Sequence, residues 1–184
     1  TDSDLMSYTY LGPSQSKKDI SDYLKTNNIK YEEFTENELS KHIAKQILDN
    51  KIIGWHQGKM EFGPRSLGNR SILANPLNAN MQKILNKKIK FREGFRPFAP
   101  AVLSEETIKY FENNNQNSYM LIVSDLKSNL TENQESLKKE KGFKKLDVKR
   151  SSLQAITHVD YSARVQSVKK EQNQKFYNLI DTFY

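Results

Sequence analysis

Cysteine is absent from these 184 residues. That absence removes disulfides, thiolate metal sites and cysteine nucleophiles together, and it suits a reducing compartment. Long apolar runs are missing too: no stretch approaches the roughly 20 residues of a helical membrane span. Histidine is scarce, with three residues at 42, 56 and 158, too scattered to suggest a metal cluster. The common catalytic signatures are also missing. Gly63 and Gly68 have the spacing of the two Walker A glycines, but Asn69-Arg70 stand where Lys-Ser/Thr would follow. No dinucleotide fingerprint, Gly-x-Ser-x-Gly elbow or HExxH pair occurs. The expectation is a cytoplasmic protein, away from the membrane, with no metal of its own.

Acidic residues are sparse in one place. Between Lys59 and Arg96 lie nine basic residues against only Glu61 and Glu93, so this segment accounts for the whole net charge of +7. A local excess of that kind predicts an anionic partner for one face of the molecule. Phosphate-bearing small molecules, RNA and acidic membrane are all open on charge alone.

At 184 residues the chain is read as one domain, 1–184, large enough to bury a core without staples. A first residue other than Met, and a helical pattern still running at Tyr184, read as the ends of a piece of a longer protein. Ser16 caps a helix over about 17–27, and Ile29 to Phe34 alternates like a short strand. Thr35 and Glu38 form a capping box for a helix to about Asn50, with Leu39, Ile43, Ala44, Ile47 and Leu48 as its apolar stripe. Strands are expected at 52–57, 71–74, 98–103, 119–123, 155–159 and 163–168, the last two joined by a hairpin-like turn at Asp160-Tyr161-Ser162. Helices are expected from Met81 to Ile89, briefly from Ser104, and from Phe176 to Phe183. The alternation argues for an α/β fold with helices laid on a sheet. Residues 125–150, polar and charge-mixed, read as a mobile loop or a lid.

Two constellations could carry chemistry. Gly63-Pro64-Arg65-Ser66-Leu67-Gly68-Asn69-Arg70 sets two guanidiniums five residues apart in a turn-rich segment. Backbone amides in such turns point at anions, and guanidinium forks hold phosphate oxygens in pairs. Phe95-Arg96-Pro97-Phe98 adds a third arginine between stiff flanks. A lone arginine is ordinarily a surface ion-pair partner, but partners are scarce here. The second constellation is Thr157-His158-Val159-Asp160 with Arg164-Val165-Gln166, where His158 is either a satisfied core histidine or a site residue. Tyr8, Tyr10 and Phe91 could stack bases beside the basic segment, or simply be core.

The segment MEFGPRSLGNRSILANP, Met60 to Pro76, resembles the hallmark of the NodU/CmcH carbamoyltransferase family. The similarity continues through Asn86, Lys90, Arg92-Glu93 and Phe95 to Leu103. It resumes at Ser118-Tyr119-Met120, His158-Val159-Asp160 and Ala163 to Val168, and Tyr10-Leu11-Gly12-Pro13 is similar to the entry of that family's C-terminal domain. Ser66 stands where Ala is usual, and Asn75 where Asp is usual. Tyr161 stands where Gly commonly follows, and Tyr takes positive φ only at a cost. The resemblance implies a YrdC-like α/β domain, a twisted mixed sheet with flanking helices and a basic concave surface. It implies a two-domain carbamoyltransferase whose N-terminal Kae1-like domain, holding Fe²⁺ or a similar metal, lies outside this chain, as does a segment that follows Phe183. It implies ATP, with Mg²⁺ on the nucleotide, and carbamoyl phosphate as substrates. A carbamoyl adenylate would form here and pass to the Kae1-like domain for transfer to a hydroxyl of a sugar or secondary metabolite. The catalytic residues so implied are Arg65, Arg96, His158 and Arg164, and the substrate-binding ones Arg65, Ser66, Gly68, Asn69, Arg70, Lys90, Arg92, Arg96 and Gln166. The alternative is a basic YrdC-like module that binds RNA or nucleotide without catalysis; a homodimer is left open.

Overall fold

Ser16 and Thr35 are each followed, three residues on, by an acid and then by apolar residues at helical spacing. In the computed structural model of the protein, which describes residues 4–113 and 117–184, both start helices through reciprocal caps. The Ser16 hydroxyl accepts from the Asp19 amide at 3.1 Å, and the Asp19 carboxylate accepts from the Ser16 amide at 3.0 Å. Thr35 and Glu38 repeat the pattern. Each cap satisfies otherwise orphaned amides and is worth about 1 kcal/mol.

Helix α1 (Lys17–Thr26) nonetheless buries no residue, and Ile20 and Tyr23 stay exposed. The strand expected at 29–34 does not form: Ile29, Tyr31 and Phe34 are exposed, and among the described residues no strand pairs with this segment. Helix α2 (Glu36–Leu48) buries Ser40, Ala44 and Ile47. Strand β1 (Ile53–His56) then pairs antiparallel with β2 (Arg70–Leu73), with His56 opposite Arg70. That pairing draws both ends of the glycine-rich segment together. Helix α3 (Met81–Lys88) follows, burying Met81 and Leu85.

Strand β3 (Ala101–Leu103) and helix α4 (Thr107–Tyr110) precede β4 (Ser124–Asp125). The apolar run 119–123 is not a strand. Met120 sits at φ 54°, which breaks the extended path, and Leu121, Ile122 and Val123 are exposed. Residues 125–150, read above as a loop, hold a six-residue helix α5 (Gln134–Lys139) between short 3₁₀ turns. The expected strand 155–159 is a set of turns instead. The Thr157 hydroxyl donates to the Leu153 carbonyl at 2.8 Å, the local competition that favours turns over ladders. The strand expected at 163–168 divides into β5 (Ser162–Ala163), antiparallel to β4, and β6 (Gln166–Val168), parallel to β3. Arg164 and Val165 cross between the two pairs. Helix α6 (Gln174–Phe183) ends the fold and packs on α2.

The architecture is therefore mixed α/β; where the resemblance implied a twisted mixed sheet, the described residues form three two-stranded pairs. Strands of two to four residues cannot carry a wide ladder, so side-chain packing holds the fold. One cluster joins Ala44, Trp55, Val168, Phe176 and Leu179. A second gathers Phe111, Leu126, Ile156, Ala163 and Val165, and a third Met81, Leu85 and Ala155. The second cluster includes Ala163 and Val165, on either side of Arg164, and the first includes Phe176, whose ring meets Gly68.

Candidate functional site

A loop rich in glycine and proline has backbone amides to satisfy, and here one carboxylate satisfies three. Glu61 is buried, and its Oε1 accepts from the amides of Leu67, Asn69 and Arg70 at 2.7, 2.9 and 3.2 Å. The carbonyl side of the loop is held as well. The Leu67 carbonyl accepts from Tyr10 Oη at 2.7 Å and from Gln166 Nε2 at 2.9 Å. Gln57 Nε2 reaches the Gly68 carbonyl and the side chains of Asn69 and Asn173. Burial pushes the Tyr10 phenol up to about 12, with the Glu61 charge adding to it, so the phenol stays a donor across the working pH range. Gly68 sits at φ +103° over the face of Phe176, where a Cβ would lie 2.4 Å from Cδ1 of that ring. Glycine is required there twice, for the backbone angle and for the space.

This frame sorts the residues singled out by sequence. Gly68, Asn69 and Gln166 are buried and spend their polar groups on the loop. Arg70 does the same: Nη1 donates to the carbonyls of Gln57 and Asn69, and Nη2 to that of Gly58. Its guanidinium clamps the turn. Arg65 and Ser66 lie at the exposed crown of the loop. Lys90, Arg92 and Arg96 belong to the connection from α3 to β3. Arg92 donates to Asn86 Oδ1 at 2.7 Å and lies 5.1 Å over the Phe98 ring, while Arg96 pairs with Glu93 at 2.9 Å. Lys90 is exposed. Their partners all lie on that connection or on α3, and none joins them to Arg65.

What the fold does bring together is Arg65, Arg164 and His158. Burial holds the Arg164 guanidinium below its ordinary pKa, and the Arg65 charge, near enough to be felt there, presses in the same direction. Neither makes an ion pair among the described residues, and Arg164 Nε is buried without a hydrogen-bond partner. Two like charges near each other and without ion pairs are eased when an anion binds beside them. Beside them, His158 Nδ1 lies 2.9 Å from Ser162 Oγ, and Ser162 Oγ donates to Asp160 Oδ1 at 2.6 Å. A hydroxyl has one proton. With that proton on the carboxylate, Ser162 accepts from His158 Nδ1–H, which leaves the lone pair on Nε2. Burial lowers the His158 pKa, Arg164 and Arg150 add to the effect, and Asp160 opposes it. The ring is thus neutral near pH 7 and able to accept a proton at Nε2. Tyr161, at the position flagged for its missing glycine, takes φ +66°.

Sequence reasoning passed over Glu61, Gln57 and Asn173. Glu61 was counted only as a charge opposing the basic segment. The signal available was its place at the threshold of a Gly-Pro turn, where an acceptor for several amides is needed. An apolar cavity of about 200 Å³ between β2, α3 and α6 is lined by Ile72, Met81, Phe98 and Leu179 among others, with no ionisable group, and offers no chemistry. Among the described residues no cluster of three His, Cys, Asp or Glu could hold a metal ion, and no helix is long and apolar enough to cross a membrane.

Comparison with known proteins places the chain in a family. Residues 44–184 match the family described as carbamoyltransferase C-terminus. The chain is 45% identical over 186 residues to an uncharacterized protein of Synechocystis, covering 98% of this chain and 30% of that protein. It is 38% identical over 149 residues to nodulation protein NolNO of Sinorhizobium fredii, covering 79% of this chain and 19% of that one. It is 35% identical over 137 residues to the 3'-hydroxymethylcephem-O-carbamoyltransferase of Amycolatopsis lactamdurans, covering 74% of this chain and 22% of that enzyme. The chain therefore spans less than a third of the length of each of these relatives.

Proposed function

The chain belongs to the carbamoyltransferase C-terminus family, and on that premise we propose that it is the activating part of a carbamoyltransferase, a YrdC-like domain with its basic surface centred on Arg65 and Arg164. The substrates are carbamoyl phosphate and ATP. Water first releases phosphate from carbamoyl phosphate, leaving carbamate. A carbamate oxygen then bonds to the α-phosphorus of ATP as the bond to the β-phosphate oxygen breaks. The products are carbamoyl adenylate and pyrophosphate. The adenylate passes to a Kae1-like domain, which carries the carbamoyl group to a hydroxyl acceptor.

The observation that carries this reading is Arg164, its Nε buried without a hydrogen-bond partner and its charge felt by both Arg65 and His158, with neither arginine in an ion pair among the described residues. Carbamate is already an anion, so adenylation needs little base catalysis. It needs like charges held in line, and fixed guanidiniums supply that. The first step does involve protons, and His158 Nε2 is placed to accept one as phosphate departs. The donor set fits nucleotide phosphates. Mg²⁺ would be held by those phosphates and would offset their charge. Lys90, Arg92 and Arg96, on the separate connection from α3 to β3, are not needed for this reading.

Calorimetric titration of the chain with carbamoyl phosphate, with and without a non-hydrolysable ATP analogue, tests the reading. Arg65→Ala and Arg164→Ala should each weaken binding about ten- to a hundredfold, one charge-assisted guanidinium contact apiece. Equal binding by parent and variants would displace the site. Tight RNA binding that falls steeply with salt, with no response to carbamoyl phosphate, would favour a nucleic-acid module instead.

A further inference from the structure

The segment from Ser128 to Arg150 is folded against the His158 turn. Arg150 is 2% exposed, and its guanidinium is spent on backbone carbonyls: Nε on Thr157 at 3.3 Å, and Nη1 on Lys145, Leu146 and Val148 at 3.4, 3.5 and 3.2 Å. A guanidinium is costly to bury without a carboxylate, and none pairs with it among the described residues. Its effect is to tie residues 145–148 to the residue just before His158. Ser151 Oγ, 2.7 Å from Thr157 Oγ1, adds a second tie at the same point.

The other end of the turn is tied to the same segment. Tyr161 holds φ +66°, a conformation that costs a non-glycine residue, and its phenol donates to the Glu132 carbonyl at 2.8 Å. The Glu132 amide in turn donates to the Arg150 carbonyl at 2.7 Å, and Thr131 bridges Ser151. Both ends of the turn 157–161 thus end on one short ladder, Thr131-Glu132 against Arg150-Ser151.

We propose that the segment 128–150 is a fixed buttress that positions His158, with Arg150 and Tyr161 as the positioning residues. The inference rests on the reading of His158 as a site residue, but its geometry stands apart from any activity. The His158 amide donates to the Ser162 carbonyl at 2.8 Å, and the ring hangs from Ser162 Oγ. Both contacts require the turn to close. The charged groups facing the ring are Asp160 on its own turn, Arg164 from the crossing, and Arg150 from the buttress. Arg65 acts on Arg164 rather than on the ring.

The test is the pH titration of the His158 ring by NMR. Three histidines give three resonances, and His158→Gln assigns the one that matters. In Arg150→Met, the His158 midpoint should move up toward that of a solvated imidazole, because a nearby cation is removed and the turn opens to water. Exchange of the His158 amide should speed up about tenfold. Arg150→Lys keeps the charge but not the fan of donors, so exchange should accelerate with a smaller rise in midpoint. Should Arg150→Met fail to fold, Tyr161→Phe decides, since it removes a single O–H and should accelerate the same amide. An unchanged His158 midpoint and amide in folded Arg150→Met or Tyr161→Phe overturns the buttress. Carbamoyl phosphate titration of Arg65→Ala separates the two readings. Lost binding there with an indifferent His158 sinks the buttress alone. A responsive His158 with no ligand dependence on Arg65 sinks the functional reading and leaves the buttress standing.

Discussion

Replacing Glu61 by Ala isolates the contribution of one buried carboxylate to the loop. Its Oε1 serves the amides of Leu67, Asn69 and Arg70, and removal leaves all three without that acceptor. Leu67 and Asn69 are 1% and 5% exposed, whereas Arg70 is only half-buried and can recruit water. Two orphaned amides at roughly 1–3 kcal/mol each, partly relieved by water entering the vacated space, give a loss of about 3 kcal/mol. The single tryptophan, Trp55, lies in the core cluster under this loop and reports unfolding by fluorescence. With a urea dependence of about 2 kcal/mol per molar for a chain this size, the midpoint should fall by about 1.5 M. Glu61→Gln keeps an acceptor oxygen but loses its charge, so about 1 kcal/mol and a shift near 0.5 M are expected. A Glu61→Ala midpoint within about 0.3 M of the parent would show that the loop amides find other partners and that the clamp argument is wrong.

Gly68→Ala should cost about 3 kcal/mol in the same assay, part from φ +103° and part from the 2.4 Å approach to Phe176, and Phe176→Leu in the Ala background should recover only the steric part. Arg164→Gln should weaken carbamoyl phosphate binding about tenfold or more while leaving the urea midpoint within about 0.3 M, because the side chain makes no ion pair among the described residues. His158 has a folded-state pKa below its ordinary 6.5, so its neutral form is favoured on folding. Its contribution is fully present above pH 6.5 and is lost as pH falls through the folded value. The stability difference between parent and His158→Gln should therefore shrink below pH 6.5 in denaturant titrations at stepped pH, and a difference constant from pH 8 to 5 would contradict the assignment.

The helices were legible because their signals are local. Ser16 with Asp19, and Thr35 with Glu38, carry their own partners within one turn, and the apolar stripe of α2 points at α6 whichever strands lie nearby. Strands depend on a neighbour: Ile53–His56, Arg70–Leu73 and Ala101–Leu103 have one and form where expected, and the other readings failed in a consistent way. Residues 29–34 have strand-like alternation but no partner, and 119–123 is apolar but turned outward after Met120. Residues 155–159 are claimed by hydroxyl-to-carbonyl bonds. At the site, the glycine-rich loop announced itself by composition. The nearness of Arg65 to Arg164 did not, because nothing in the spacing says which crossing between strand pairs comes near the loop. The balance within the loop was hidden for the same reason: Arg70 resembles a phosphate ligand until Gln57, Gly58 and Asn69 turn their carbonyls toward it, and Glu61 resembles a stray charge until three amides converge on it.

The loop's supports come from distant parts of the chain. Gln57 bonds Asn173 across 116 residues, Leu67 bonds Gln166 across 99, and Tyr10 meets Asn173 across 163. Contacts of such long range form late, since closing a long loop costs entropy before any contact offsets it. During synthesis, α1 and α2 can form as soon as they emerge, with their caps already in place. The Arg65 loop cannot: Gln166, Asn173 and the Phe176 ring that seats Gly68 are made more than ninety residues later. The amino-terminal half of this domain must wait on the ribosome with its basic segment unshaped, and the loop that carries Arg65 takes its form in one of the last steps of folding.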